Sequence, residues 1–251
     1  MTSRILVHYS GGIAENHQIS MRTLAKSLSH LQSAIDRAYL EHKHGYLQKH
    51  AKMYVRDYED ILFVTSASEE GGYILDFIGK TPIGKIVSTK ISSVIRPIIA
   101  QSMESGSRET STKIATQLDT VKAQLEQKVV IPTTYDEFVS SFNNEDGNRS
   151  YANRSIAKEF DQIAGIIRSK STSSDSKIEI KVTGSVTDTF TFDKQVSKKF
   201  HSIVSLKSAG RPVLYLAKIT KLDFKNLNGK IYNVLSKQES TIKFADENDF
   251  F

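Results

Sequence analysis

The stretch Ser169–Ser176, SKSTSSDS, holds five serines and no apolar side chain. Before it, apolar residues recur mostly at helical spacing. After it, they fall into short β-prone runs. Read as a flexible linker, the stretch separates a domain of residues 1–168 from a second of residues 177–251, with 169–176 between them. Read as a long loop, it lies inside a single domain.

On its carboxyl side the β-prone runs are Lys177–Thr183, Asp188–Phe192, Val213–Thr220, Lys230–Leu235 and Thr241–Phe244. Gly184, Gly210-Arg211-Pro212 and Asn228-Gly229 break them. Lys194–Ser205 suits either a helix or a further strand. Asn228-Gly229, between Leu222–Leu227 and Lys230–Leu235, is the strongest hairpin signal in the chain. About five short strands in ~70 residues suggest a small β-barrel of OB or SH3-like type.

On its amino side Arg4–Tyr9 reads as a strand closed by Gly11-Gly12. The polar run Asn16–Ser20 suits a helix cap. Met21, Leu24, Leu28, Leu31, Ile35 and Ala38 then form one helical stripe ending near Gly45. Ile61–Thr65 and Tyr73–Ile78 read as strands joined by a turn at Ser66–Gly72, with some helix around Lys49–Tyr58. Helical stretches follow at Ile83–Met103, divided or kinked by Pro97, at Thr110–Gln127, at Tyr135–Phe142 and around Ile156–Ile167. Asn143–Ser150, NNEDGNRS, reads as a polar loop. The expected class is α+β: an N-terminal β-α-β-β unit with a helical extension, then the small barrel.

The 251 residues carry a net charge of +6, unevenly spread. Residues 1–175 hold 21 Lys and Arg against 20 Asp and Glu, whereas residues 176–245 hold 13 against 5. The end, Asp246–Phe251, is acidic and closes on two phenylalanines. The chain has no cysteine, which excludes disulfides, thiolate zinc sites and a cysteine nucleophile. It has no apolar run of ~18 residues, and Met1–Ser10 lacks the apolar core of a signal peptide. A cytoplasmic location is expected, without a membrane span.

The histidines offer little chemistry by spacing. His42 and His44 are two apart and point in different directions on one helix, and favourable interaction with a helix C-terminus accounts for them and for His50. His8, Glu15 and His17 flank the Gly-Gly turn as an acid–base candidate. Neither phosphate-loop nor dinucleotide glycine spacing occurs, and no G-x-S-x-G elbow is present. No metal or cofactor is expected.

The carboxyl third has more to offer. Lys194, Lys198, Lys199, Lys207, Arg211, Lys218, Lys221, Lys225, Lys230 and Lys243 interleave with Phe190, Phe192, Phe200, Tyr215, Phe224, Tyr232 and Phe244. Single-strand binders combine such cations with aromatic platforms. Strand alternation turns Tyr215 and Phe244 inward. Lys198, Lys199, Lys221, Lys225 and Arg211 are the candidate nucleic-acid contacts. Asp249, Phe250 and Phe251 are candidate partner anchors, in the manner of the acidic aromatic tips of single-stranded-DNA-binding proteins.

Ile5–Leu28, ILVHYSGGIAENHQISMRTLAKSL, and Ile219–Phe244, ITKLDFKNLNGKIYNVLSKQESTIKF, resemble an uncharacterised family of bacterial and phage-associated proteins. The resemblance covers about a fifth of the chain. It implies an N-terminal strand, Gly-Gly turn and helix, a C-terminal OB-like module and a link to phage–host conflict. It implies no catalytic residues. The expected function is a non-enzymatic binding or adaptor role toward a protein complex or nucleic acid. The alternatives are single-stranded nucleic-acid binding through the basic barrel and a hydrolase or nuclease-like activity at His8, Glu15 and His17.

Overall fold

The structure is a computed structural model, and it describes residues 2–45, 47, 51–65, 73–104, 114–142, 145–206, 212–234 and 237–244. In chain order it contains β1 (Arg4–Ser10), α1 (Met21–His44), α2 (Val55–Asp60), β2 (Phe63–Thr65), β3 (Tyr73–Gly79), α3 (Pro82–Met103) and α4 (Ile114–Glu126). It continues with β4 (Thr133–Thr134), α5 (Tyr135–Phe142), α6 (Glu145–Arg168), β5 (Lys177–Thr183), β6 (Thr187–Phe192) and α7 (Lys194–Ser205). The last elements are β7 (Val213–Leu214), β8 (Ala217–Asp223), β9 (Asn228–Asn233) and β10 (Gln238–Lys243). The fold is α+β, with the N-terminal β-α-β-β order in place and antiparallel sheets toward the C-terminus.

The elements form two units. The larger joins residues 1–107 to 144–206, and the smaller joins 108–143 to 207–251. In the larger unit five antiparallel strands run in the order β2-β3-β1-β5-β6. Ile5, Val7 and Tyr9 of β1 alternate inward, as do Ile178, Ile180 and Val182 of β5 and Phe190 and Phe192 of β6. Helices cover that face. Phe160 of α6 meets Phe190 edge-on at 6.3 Å, and Phe200 of α7 meets Phe192 edge-on at 5.4 Å. Tyr9 meets the Ser27 hydroxyl of α1, and burial pushes its phenol up to about 12. The α1 stripe is graded: Leu31, Ile35 and Ala38 are buried, Leu24 and Leu28 half-buried, and Met21 exposed. Ser20 caps this helix by accepting from the Thr23 N–H at 3.1 Å, and Gly45 ends it with a φ of 74°.

Two carboxylates of α6 tie it to its neighbours. Glu159 accepts from Arg37 at 2.9 Å and lies 2.8 Å from His30 Nδ1, both on α1. Asp161 accepts from Arg168 at 2.6 Å and lies 2.9 Å from His201 Nδ1 on α7. The half-buried Glu159 and the buried Asp161 are each paired with an arginine, which offsets the cost of removing them from water.

The division into units corrects the linker reading of Ser169–Ser176. That segment is a tight connection from α6 to β5, inside the larger unit. The Thr172 hydroxyl donates to the Ile166 carbonyl at 2.8 Å, Lys194 Nζ donates to the Thr172 carbonyl at 2.6 Å, and Ser176 is fully buried. Gly11 packs onto it with a φ of 74°, and a Cβ at that position would lie 2.3 Å from the Asp175 carbonyl oxygen. The Gly12 N–H and the Ser173 hydroxyl donate to the Asp175 carboxylate and hold it below the usual carboxylate range, the serine acting more strongly. Short hydroxyl side chains bond to backbone and build turns, so a run without apolar residues is not for that reason slack.

Two smaller expectations are also corrected. Glu145–Ser150 belongs to α6, because a weak local preference against helix yields to a long, packed continuation. Of the two outcomes expected at Pro97, a kink or a division, the division does not occur: α3 runs from Pro82 to Met103 as one helix. The turn expected at Ser66–Gly72 lies outside the described residues.

Candidate functional site

The smaller unit contains the sheet β10-β9-β8 and a short parallel pairing of β4 with β7. Two of the five strands expected in a C-terminal barrel, β5 and β6, belong instead to the sheet of the larger unit. The β8–β9 hairpin exists, but its turn is Phe224–Leu227. Asp223 organises this turn by accepting from the Asn226 backbone N–H at 3.2 Å and its side-chain amide at 2.8 Å, which holds the Asp223 carboxyl low. Leu227 takes the left-handed φ of 47°. Asn228-Gly229 therefore opens β9 rather than making the turn. Gly229 is needed for close approach: a Cβ there would lie 2.8 Å from the Lys221 carbonyl oxygen.

Register sorts the side chains of this sheet onto two faces. Lys218 pairs with Tyr232 and Tyr232 with Glu239; Lys221 pairs with Lys230 and Lys230 with Thr241; Asp223 pairs with Asn228 and Asn228 with Lys243. Residues directly opposite each other share a face. One face thus carries Lys218, Lys221, Lys230 and Lys243, all exposed, around a half-buried Tyr232. The reverse face carries Ile219, Leu222, Ile231 and Ile242, with Ile219 62% exposed. Between Ile219 and Lys221 the register shifts, leaving Thr220 as an extra residue whose hydroxyl donates to the Lys230 carbonyl at 3.1 Å.

The described residues anticipated from sequence are divided between the two units. Lys221 lies on the cationic face and Lys225 in the exposed turn beside it. Lys198 and Lys199 sit on α7 of the larger unit, where Lys199 Nζ donates to the Glu104 carbonyl at 3.1 Å. Phe190, Phe192 and Phe200 are core residues of the larger unit and unavailable for stacking. Tyr215, expected inward, is 49% exposed and lies 5.3 Å from the Tyr135 ring. Arg211, Asp249, Phe250 and Phe251 lie outside the described residues, as does His50.

His8 is a half-buried mid-strand residue, opposite Ile74 on one side and Glu179 on the other, on the sheet face turned away from the helices. Glu15 and His17 are exposed in the short turn Glu15–His17 beyond the end of β1, where Asn16 and His17 both take left-handed φ. Lys218, Lys230, Lys243 and Tyr232 were visible as residue types. Only register, including the one-residue shift at Thr220, assembles them with Lys221.

No family model, curated protein or solved structure matches this chain. No helix among the described residues is long and apolar enough to cross a membrane.

Proposed function

We propose that this protein is a non-enzymatic binding or adaptor protein whose C-terminal sheet engages nucleic acid. The observation that carries the reading is the segregation of Lys218, Lys221, Lys230, Lys243 and Tyr232 onto one sheet face. Four exposed cations offer counterion release against phosphates, and a tyrosine among them offers a surface for a base. In this reading Lys225, at the edge of the face, supplies a further phosphate contact. The resemblance to phage-associated proteins fits a role in phage–host conflict.

The test is a fluorescence-anisotropy titration of labelled DNA and RNA oligonucleotides across a salt series. Affinity is expected to fall steeply with salt. Replacing the four lysines by alanine is expected to remove most of both affinity and slope. Failure to bind every DNA and RNA tested at micromolar protein and low salt would sink the reading.

A protein partner is the second reading, carried by the exposed apolar reverse face at Ile219 and Leu222. A partner docked there is expected to be lost in Ile219→Glu, with nucleic-acid binding kept. Loss of both together would mean that the variant disturbs the sheet itself.

A further inference from the structure

We infer that Lys221 and Lys230 form a phosphate seat for single-stranded nucleic acid, created by the extra residue in β8; this rests on the nucleic-acid reading above and names where and how the strand is held. The two lysines are directly opposed and both exposed. Like charges in that relation destabilise a sheet. The third member of their row is Thr241, which brings no negative charge. The acids on the same face stand in other rows. Glu239 is across from Tyr232, and Asp223 is held chiefly by Asn226 at the turn, with a weaker attraction to Lys221.

The opposition exists only because of the shift. Continuing the register Lys218–Tyr232, Ile219–Ile231 would set Thr220 against Lys230 and send Lys221 to the apolar face, opposite Gly229. The inserted residue instead turns Lys221 onto the cationic side, which is the way a bulge re-aims a side chain next to a site. The Thr220 hydroxyl, bonded to the Lys230 carbonyl, fixes that irregularity beside the lysine it serves. A phosphodiester between the two ammonium groups would convert a repulsive pair into a doubly paired anion.

Tyr232 follows Lys230 on the same face, two residues or about 7 Å along the strand. That places a ring beside the seat, within the span of one extended nucleotide. A base can lie on that ring only if it is not already stacked within a helix, so the seat and the ring together favour a single strand over a duplex.

The experiment uses the full chain and a labelled ten-nucleotide oligothymidine, with a duplex of the same length as competitor. The double variant Lys221→Gln/Lys230→Gln is expected to lose about tenfold in affinity and to flatten the log–log salt slope by about 1.4, two phosphate contacts' worth for a single strand. The charge-matched control Lys80→Gln/Lys158→Gln, at two exposed lysines of the larger unit, is expected to lose far less. Tyr232→Leu is expected to weaken binding about fivefold or more with the slope unchanged, since stacking releases no counterions. The seat variant should melt no lower than the wild-type protein, because a repulsion has been removed. Wild-type binding that the seat variant retains in full, slope included, overturns the seat and leaves the broader reading standing. Equal affinity for the duplex overturns the single-strand preference. Absence of any wild-type binding overturns both.

Discussion

The larger and smaller units use similar apolar residues to different ends. In the larger, Phe160, Phe190, Phe192 and Phe200 are fully buried in one cluster between sheet and helices. Among the described residues every buried apolar side chain belongs to that unit. In the smaller, Leu214, Leu216, Ile219 and Phe224 are each more than half exposed. Apolar sequence is therefore not the same thing as core. Three strands with an apolar face are about the least a sheet needs to be stable by itself. Among the described residues, the contrast sets the buried apolar core in the larger unit and leaves apolar side chains of the smaller one exposed.

The sharpest way to break this comparison is to cut the same kind of side chain in each unit. Phe160→Ala is expected to cost about 3–5 kcal/mol in urea unfolding, since it empties the centre of the larger core. A cost below about 1 kcal/mol would show that this core is not what holds the unit together.

The next largest effect is expected at the contact between the Gly-Gly turn and the serine-rich connection. Gly11→Ala places a side chain at a φ of 74° and against the Asp175 carbonyl. It is expected to cost at least about 1–2 kcal/mol, the ordinary penalty for a left-handed residue, before the clash is added. A wild-type melting temperature in this variant would mean that the connection is as slack as its composition suggests.

Acid should act on the larger unit through Asp57. This buried carboxylate accepts from Lys43, from the Tyr54 N–H at 2.8 Å and from the Tyr39 hydroxyl at 3.1 Å, and the Lys43 bond chiefly holds its pKa below the ordinary value. A depressed folded pKa means stability that is present above the unfolded pKa, near 4, and lost as pH falls through the folded value. The urea midpoint of the wild-type protein is expected to drop below about pH 4. In Asp57→Asn that dependence should be shallower, and an identical acid limb in both would remove Asp57 as its source.

The smallest stability effect is expected in the smaller unit. Ile219→Ser is expected to change stability by less than about 0.5 kcal/mol, as for other surface positions. It should nevertheless lower the binding of an apolar dye such as ANS. A large loss of stability would show that Ile219 is core, and the contrast between units would fail.

Much of the larger unit was legible in the chain. The 3–4 spacing from Leu24 to Ala38 marks α1, Ser20 and Gly45 mark its ends, and alternation marks β1, β5 and β6. These signals are local: they depend on a residue and its neighbours within a turn or two. The same logic located Tyr135–Phe142 as a helix and a hairpin near Asn228. The candidate site was legible only as a supply of lysines and aromatics, because strand alternation says which residues share a face within one strand and is silent about the strand beside it.

By itself the sequence determined most of the helices and strands, the absence of cysteine chemistry and the cationic bias of the last third. Only the tertiary structure decided which strands belong together. It paired Lys177–Thr183 with Arg4–Ser10 across more than 160 residues, and so made a packed connection out of an apparent linker. It set Phe190, Phe192 and Phe200 in the core and left Tyr232 on a surface, though all four are aromatic residues among lysines. It also moved Lys221 across the sheet by one extra residue. The physical reason is the same in each case. Pairing partners and burial are settled by the free energy of the whole packed arrangement, and a side-chain period of two makes a single-residue shift enough to exchange a sheet's faces.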